Sequence, residues 1–258
     1  MKRGKSTRTP LKELPLRLPG QSVQDEIDRI YENKALLPLF ITLAYIIIAG
    51  LEWRQVVIST PPNPWLSTVV AAVASVYTAI SIIRVRKRIR LLNLARDGER
   101  IVAEQLDLLK QQGAVVMHDV VGDGFNIDHV ILTKKGLFVA ETQTRSKPMH
   151  GSPTITFDGN ALLVNGWKPD RDPLSQAEAN ARWVAKELEA STGKGFPVRP
   201  VVLFPGWFVE PIPRGSKVWI LEPKALPAFI EKEPVRLSDE DLHLAVYHMT
   251  RMVRPRTS

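Results

Sequence analysis

Residues 126–143 read NIDHVILTKKGLFVAETQ. Two runs rich in Val, Ile, Leu and Phe flank Lys134-Lys135-Gly136, and the glycine supplies the left-handed backbone that a tight hairpin requires. The pattern predicts antiparallel strands over 126–133 and 136–143, preceded by a third over 114–121 (AVVMHDVV). Side chains two apart on a strand point to the same side, so Glu141 and Gln143 share a face at the end of their run. Asp128 sits on the hairpin partner. Carboxylates from neighbouring strands can hold one hard cation such as Mg²⁺, or Mn²⁺ in its place, and an ion held there can activate water and stabilise charge on a phosphodiester. The plainer reading is that strand-end carboxylates are solvated or cap a turn.

Working outward, GERIVAEQLDLLKQQG predicts a helix with Ile101, Val102, Leu106, Leu108 and Leu109 as its apolar content, closed by Gly113. Downstream, TITF and ALLV flank Asp158-Gly159-Asn160 as a second hairpin. Asp172 and Pro173 open a helix over about 173–190, with Leu174, Ala177, Ala181, Val184 and Leu188 at spacings of three and four. Strands over 198–204 and 217–221 follow, then helices over about 224–231 and 238–253. The order predicts a mixed α/β domain around one sheet at 97–222, with C-terminal helices at 223–258.

The longest apolar runs lie elsewhere. Residues 35–51 (ALLPLFITLAYIIIAGL) carry no charge over 17 positions, and residues 65–83 (WLSTVVAAVASVYTAISII) none over 19. Roughly 20 helical residues cross a ~30 Å hydrocarbon core, so both are predicted transmembrane helices, forming a hairpin over 35–83. In the joining loop, Pro61, Pro62 and Pro64 end one helix and set up the next, with Trp53 and Trp65 at the outer interface. The net charge of +8 surrounds these spans. Residues 84–96 carry six basic residues and no acid, 1–34 carry eight basic and five acidic, and 97–258 carry 20 basic and 21 acidic. The positive-inside rule then predicts a multi-pass protein of the inner cell membrane, with both termini and the soluble domain cytoplasmic. The high pI is thereby a topology signal and not a nucleic-acid footprint.

Residues 1–21 are expected to be a disordered basic leader, and 22–34 an amphipathic helix capped by Ser22 with Val23, Ile27, Ile30 and Tyr31 on one face. Residues 84–96 are expected to be a basic juxtamembrane linker. The chain has no cysteine, which excludes disulfides, thiolate metal sites and thiol nucleophiles.

In order, GERIVAEQLDLL, NIDHVILTKKGLFVAET, Trp167 and DPLSQAEANARWV resemble the NERD domain, the nuclease-related domain, from Gly98 to about Phe208. The resemblance implies a restriction-endonuclease-like fold, a mixed sheet with flanking helices. There a helix carboxylate, a strand aspartate and an E-x-K pair build a metal-dependent phosphodiesterase site. By position, Glu99 matches the helix carboxylate, Asp128 the strand aspartate and Glu141 the acid of E-x-K, with Asp128 and Glu141 as metal ligands. Gln176 matches the glutamine that opens the later helix. Gln143 stands where the family has lysine. Lysine brings a charge and three donors to the attacking water and scissile phosphate, whereas glutamine orients a water without adding charge. Losing one such contact typically costs about 10²–10³ in rate. Lys134, Lys135, Arg145 or Lys147 could substitute, Arg145 best because it shares the face of Gln143 if the strand continues.

Two functions stay open. One is a membrane-anchored, Mg²⁺-dependent nuclease acting on DNA or RNA, with Glu99, Asp128, Glu141 and Gln143 catalytic and Gln176 and Arg145 auxiliary. The other is a catalytically inactive nuclease-fold module that holds a protein or nucleic-acid partner at the cytoplasmic membrane face. The second is the alternative, motivated by Gln143 and the slight acidic excess of 97–258, while the carboxylates in the nuclease-like pattern put the first ahead. A third reading has the hairpin oligomerise through Ala71, Ala74, Ser75 and Ala79. His129 is read as packing, and His118, His150, His243 and His248 show no metal-ligand spacing. Trp167 and Trp207 are read as core or rim.

Overall fold

The computed structural model describes residues 18–58, 64–122, 124–146, 154–170 and 172–253. Most of the expected leader, Pro61, Pro62, Lys147 and His150 lie outside the described residues. The chain divides into two compact units, Ser22–Arg96 and Met1–Gln21 with Asp97–Ser258.

The first unit is helical. Helix α1 (Gln21–Ile30) leads through a π-helical stretch (Tyr31–Leu36) into α2 (Leu37–Val57), and α3 spans Pro64–Gln111. Helix α1 starts at Gln21, one residue before the expected cap Ser22, where the Leu18 amide donates to Gln21 Oε1 at 3.0 Å and the Gln21 amide donates to Leu18 O at 3.1 Å. Its apolar face, Val23, Ile27 and Ile30, packs on Val85, Ile89 and Leu92 of α3. Arg88 pairs with Glu26 at 2.5 Å, and Arg96 donates to Gln24 at 2.7 Å. Tyr31, expected on that face, is half exposed, because the wider π turn rotates it out of register.

Helix α2 continues six residues past the expected end of its span, taking 52–57 from the predicted loop. Polar partners at that end permit it. Ser67 Oγ donates to Glu52, Trp53 Nε1 donates to Thr68 Oγ1 at 3.0 Å, and the Trp53 and Trp65 rings meet edge to face at 6.0 Å. Deeper in the hairpin the hydroxyls of Thr42 and Thr78 bond to each other and reach Ala74 O and Pro38 O, both at 3.3 Å. Two helices are long and apolar enough to cross a membrane by length and composition, Pro38–Val57 and one starting at Trp65. The basic stretch 84–96, expected as a linker, is helical throughout. It holds neither Gly nor Pro and is rich in Arg and Leu, so nothing in it stops the helix.

The second unit has three layers. Strands β1 (Val115–Val121), β2 (Asn126–Thr133) and β3 (Gly136–Thr142) form an antiparallel meander. Strands β4 (Thr154–Phe157) and β5 (Leu162–Val164) form the second hairpin, and α4 (Pro173–Thr192) then returns the chain so that β6 (Val198–Leu203) lies parallel to β3. Strand β7 (Phe208–Val209) precedes β8 (Trp219–Leu221), which is parallel to β6, and α5 (Leu226–Lys232) and α6 (Asp239–Val253) follow. The main sheet has the order β1-β2-β3-β6-β8. A second sheet, β5-β4-β7, corrects the expectation of a single one. Two residues of β7 are too few to carry an alternation pattern.

Alternate residues of the central strands face opposite layers. Val130, Leu132, Leu137 and Val139 pack with Val184 and Leu188 of α4 and Ala245 and Met249 of α6. Ile131, Phe138 and Ala140 pack with Val102, Leu106 and Leu109 of α3 and Leu226 and Ile230 of α5. Burial on both faces explains why β2 and β3 read as nearly continuous apolar runs. Asp172 caps α4 by accepting from Leu174 N at 3.0 Å, and Gly193, at φ 72°, ends it.

Candidate active site

Strand register gathers the carboxylates. In the β2–β3 ladder His129 faces Ala140, and one step further along the same register brings Asp128 opposite Glu141. In the β1–β2 ladder His118 faces His129 and Val120 faces Ile127, so Asp119 lies opposite Asp128. Three acids thus sit side by side across three adjacent strands. Asp119 has φ 51°, a left-handed conformation that aspartate tolerates better than most residues, and its pairing step is missing from the ladder. Like charges directly opposite on a sheet disfavour regular pairing there. Asp119 and Asn180, described next, escaped the sequence reading. Hairpin register marks Asp119, and the four-residue step from Gln176 marks Asn180.

Glu141 is buried, at 6% exposure, on the α4 side of the sheet. Gln176 and Asn180, one turn apart on α4, grip its two oxygens: Gln176 Nε2 donates to Oε1 at 2.6 Å and Asn180 Nδ2 to Oε2 at 3.1 Å. Asp128 keeps some accessible surface, and its Oδ2 accepts from the Thr142 amide at 2.6 Å. Glu99 enters from α3 and is 8% exposed. Gly98 precedes it because the helix closely approaches the segment just past β3: a Cβ on residue 98 would overlap the Thr144 side chain.

Burial and mutual repulsion raise the affinities of these acids for protons. Desolvation, then the charges of Asp128 and Asp119, push Glu99 up to about 8. Desolvation, then Asp128 and Glu99, push Glu141 up to about 9, against the lowering donation from Asn180. Asp128 rises to about 7 through desolvation and Asp119, opposed by the Thr142 amide. Glu99, Asp128 and Glu141 are therefore within electrostatic reach of one another, and Glu99 and Asp128 also of Asp119. Among the described residues, no three His, Asp or Glu side chains stand as a ready-made metal-holding set.

Gln143 extends the β3–β6 ladder by one step, its amide donating to Leu203 O at 2.8 Å. The cations considered as replacements for the missing lysine are placed otherwise. Lys134 pairs with Asp239 at 2.7 Å and Lys135 Nζ reaches Glu231 O. Both lie in the β2–β3 turn, six and seven residues from Asp128, at least about 20 Å along the strand. Strand β3 ends before Arg145, so the shared face with Gln143 is not set by strand alternation. Arg145 O accepts from Trp207 Nε1 at 3.4 Å, and its own Nε is buried without a hydrogen-bond partner. His129 is wholly buried on the α3 side, with its Nδ1 2.9 Å from Nδ1 of His118. Trp207 is core, while Trp167 is 78% exposed.

Fold and site define a class: a three-layer α/β unit with a buried cluster of coupled carboxylates at the C-terminal end of a central strand. The family described as Nuclease-related domain (NERD) matches residues 94–205. The matched stretch contains Glu99, Asp119, Asp128, Glu141, Gln143, Gln176 and Asn180, and supports a nuclease-like module. No curated protein and no solved structure matches the chain.

Proposed function

We propose that the protein is a metal-dependent nucleic-acid phosphodiesterase anchored by a membrane hairpin, with its soluble unit on the cytoplasmic side. The observation that carries this is the placement of Asp128 and Glu141 opposite each other on β2 and β3, with the buried Glu141 carboxylate held by Gln176 and Asn180, within the nuclease-related stretch. Such concentration of like charge costs stability, and a bound divalent cation would offset it. The donors are all oxygen, which suits Mg²⁺ or Mn²⁺. Asp128 and Glu141 would hold the ion, which when bound supplies charge stabilisation and an activated water. Gln176 and Asn180 hold the Glu141 carboxylate in one orientation. Glu99 accepts or retains a proton near neutral pH, and Gln143 orients water beside Glu141.

Cleavage of labelled DNA and RNA by the purified full-length protein with Mg²⁺ or Mn²⁺, abolished in Glu141→Ala, is the expected result. Inertness with every divalent cation tried would sink the catalytic reading. The second reading, a non-catalytic nuclease-fold module, is favoured by Gln143 in place of lysine. Orientation is testable because the chain lacks cysteine. Ser175→Cys should react with an impermeant thiol reagent only after permeabilisation, and Val57→Cys from outside intact cells. The reverse pattern would overturn the topology.

A further inference from the structure

A cleft of about 570 Å³ opens at the other end of the main sheet, between the first residues of β3 and β6 and the middle of α4. From Gly136 at its edge to Glu141 is five residues along β3, about 17 Å. The cleft is separate from the carboxylate cluster.

Its charge is unlike that of the unit around it. Lys135, Arg182, Arg199, Lys217 and Arg236 line it against two acids, Glu178 and Glu233. Residues 97–258 as a whole are slightly acidic, so the surplus of three positive charges is local. Two of the arginines are held in place. Arg199 donates to Ser216 O at 3.1 Å, and its guanidinium lies 4.8 Å over the Trp219 ring. Arg236 pairs with Glu233 at 2.9 Å, and its main-chain amide donates to Lys134 O at 2.8 Å. Glu233 also lies 4.0 Å from Arg199, so one carboxylate serves both guanidiniums. A guanidinium has five donors in a rigid fork, and one shared carboxylate leaves most of them for another anion. Ala181, Ala185 and Phe196 add apolar surface to the lining, beside the Glu178–Arg182 pair of α4. Volume and lining suit a small molecule with one strongly anionic end and a less polar body.

We propose that this cleft binds a nucleotide-sized phosphate ester, with the phosphate at Arg199, Arg236 and Lys217 and the nucleoside along the α4 side of the cleft. Pre-positioned guanidiniums lose little freedom on binding, which favours them over mobile surface lysines. The site is independent of the nuclease reading, since it uses none of Glu99, Asp119, Asp128 and Glu141.

The test is calorimetric titration of the full-length protein in detergent and EDTA with ADP, GDP, CDP and UDP, and with adenosine. Saturable binding of at least one nucleotide is expected, with adenosine at least about tenfold weaker, because charge-assisted hydrogen bonds are lost with the phosphate. Arg236→Gln and Lys217→Gln, both at the surface of the cleft, should each weaken binding by about tenfold, while Glu141→Gln leaves it unchanged. Absence of saturable binding for all four nucleotides, equal affinity for adenosine, or indifference to both cleft substitutions would overturn the proposal. So would loss of binding in Glu141→Gln, which would place the nucleotide at the carboxylates.

Discussion

Gln176 Nε2 donates to Glu141 Oε1 at 2.6 Å, tying the first turn of α4 to the end of β3. The carboxylate is buried, so its orientation depends on these donors and not on solvent. Gln176→Ala removes one donor and leaves Asn180 to hold the other oxygen alone. Outer donors of this kind typically change metal affinity by about 10–100-fold, and an unsatisfied buried acceptor costs about 1–3 kcal/mol. Calorimetry with Mn²⁺ should show the loss of affinity, and a melt the loss of stability. Unchanged Mn²⁺ affinity would remove Gln176 from the site.

The carboxylates also set a pH dependence. Glu99 at about 8, Asp128 at about 7 and Glu141 at about 9 all lie above their ordinary values of 4.5, 3.8 and 4.5. Between the ordinary and the folded values the folded state carries more protons than the unfolded state, so stability falls as pH rises. Their contribution is complete below about pH 4 and is lost progressively as pH climbs through about 7 to 9. In EDTA the melting temperature should drop across that window, and Glu141→Gln should flatten the drop. Divalent cations must displace these protons, so their affinity should rise over the same range. A melting temperature independent of pH from about 5 to 9 would contradict the charge cluster.

Much of this arrangement was legible in residues 126–143. Apolar runs, a glycine turn and period-two alternation place Asp128 and Glu141 on neighbouring strands. Asp119 was not legible because its carboxylate counts only once the β1–β2 register is fixed, and that register passes through a residue with φ 51°. Asn180 was hidden among the apolar positions of α4, buried at 5% exposure for the sake of Glu141. The helical state of 84–96 was not legible from its charge, since six basic residues mark a boundary, which falls between Arg96 and Asp97, while no residue there breaks a helix. The β4–β7 pairing joins residues some 50 apart through a two-residue strand, which no local pattern announces.

Gln143→Lys tests whether the scaffold is otherwise complete. Position 143 follows Glu141 by two residues and continues the ladder to Leu203, so a lysine there starts on the Glu141 face. Its ammonium would meet a cluster of carboxylates and add the charge that glutamine lacks. A gain of about 10²–10³ in cleavage rate is expected if the substitution of glutamine was the main loss. A single-turnover assay with Mn²⁺ reads this directly. No gain, in a variant that melts like the wild type and still binds Mn²⁺, would favour the binding-module reading.

Gly98 offers a test of how Glu99 is positioned. In an ordinary helix, Gly→Ala stabilises by about 1 kcal/mol, because alanine has less backbone entropy to lose. Here the added Cβ would overlap Oγ1, Cβ and Cγ2 of Thr144, and forced overpacking costs about 1–3 kcal/mol. The overlap involves a side chain rooted on the segment just past β3, which has little room to yield, so the packing effect should win. Gly98→Ala is expected to lower the melting temperature and, by shifting Glu99 away from Asp128, to weaken Mn²⁺ binding. Thr144→Gly removes all three overlapping atoms, so Gly98→Ala in that background should become neutral or stabilising. Such a sign change in a double-mutant cycle isolates the contact from general helix effects. If Gly98→Ala stabilises the wild type as it would an exposed helix, then α3 does not approach the sheet at this point, and Glu99 is not held beside the strand carboxylates.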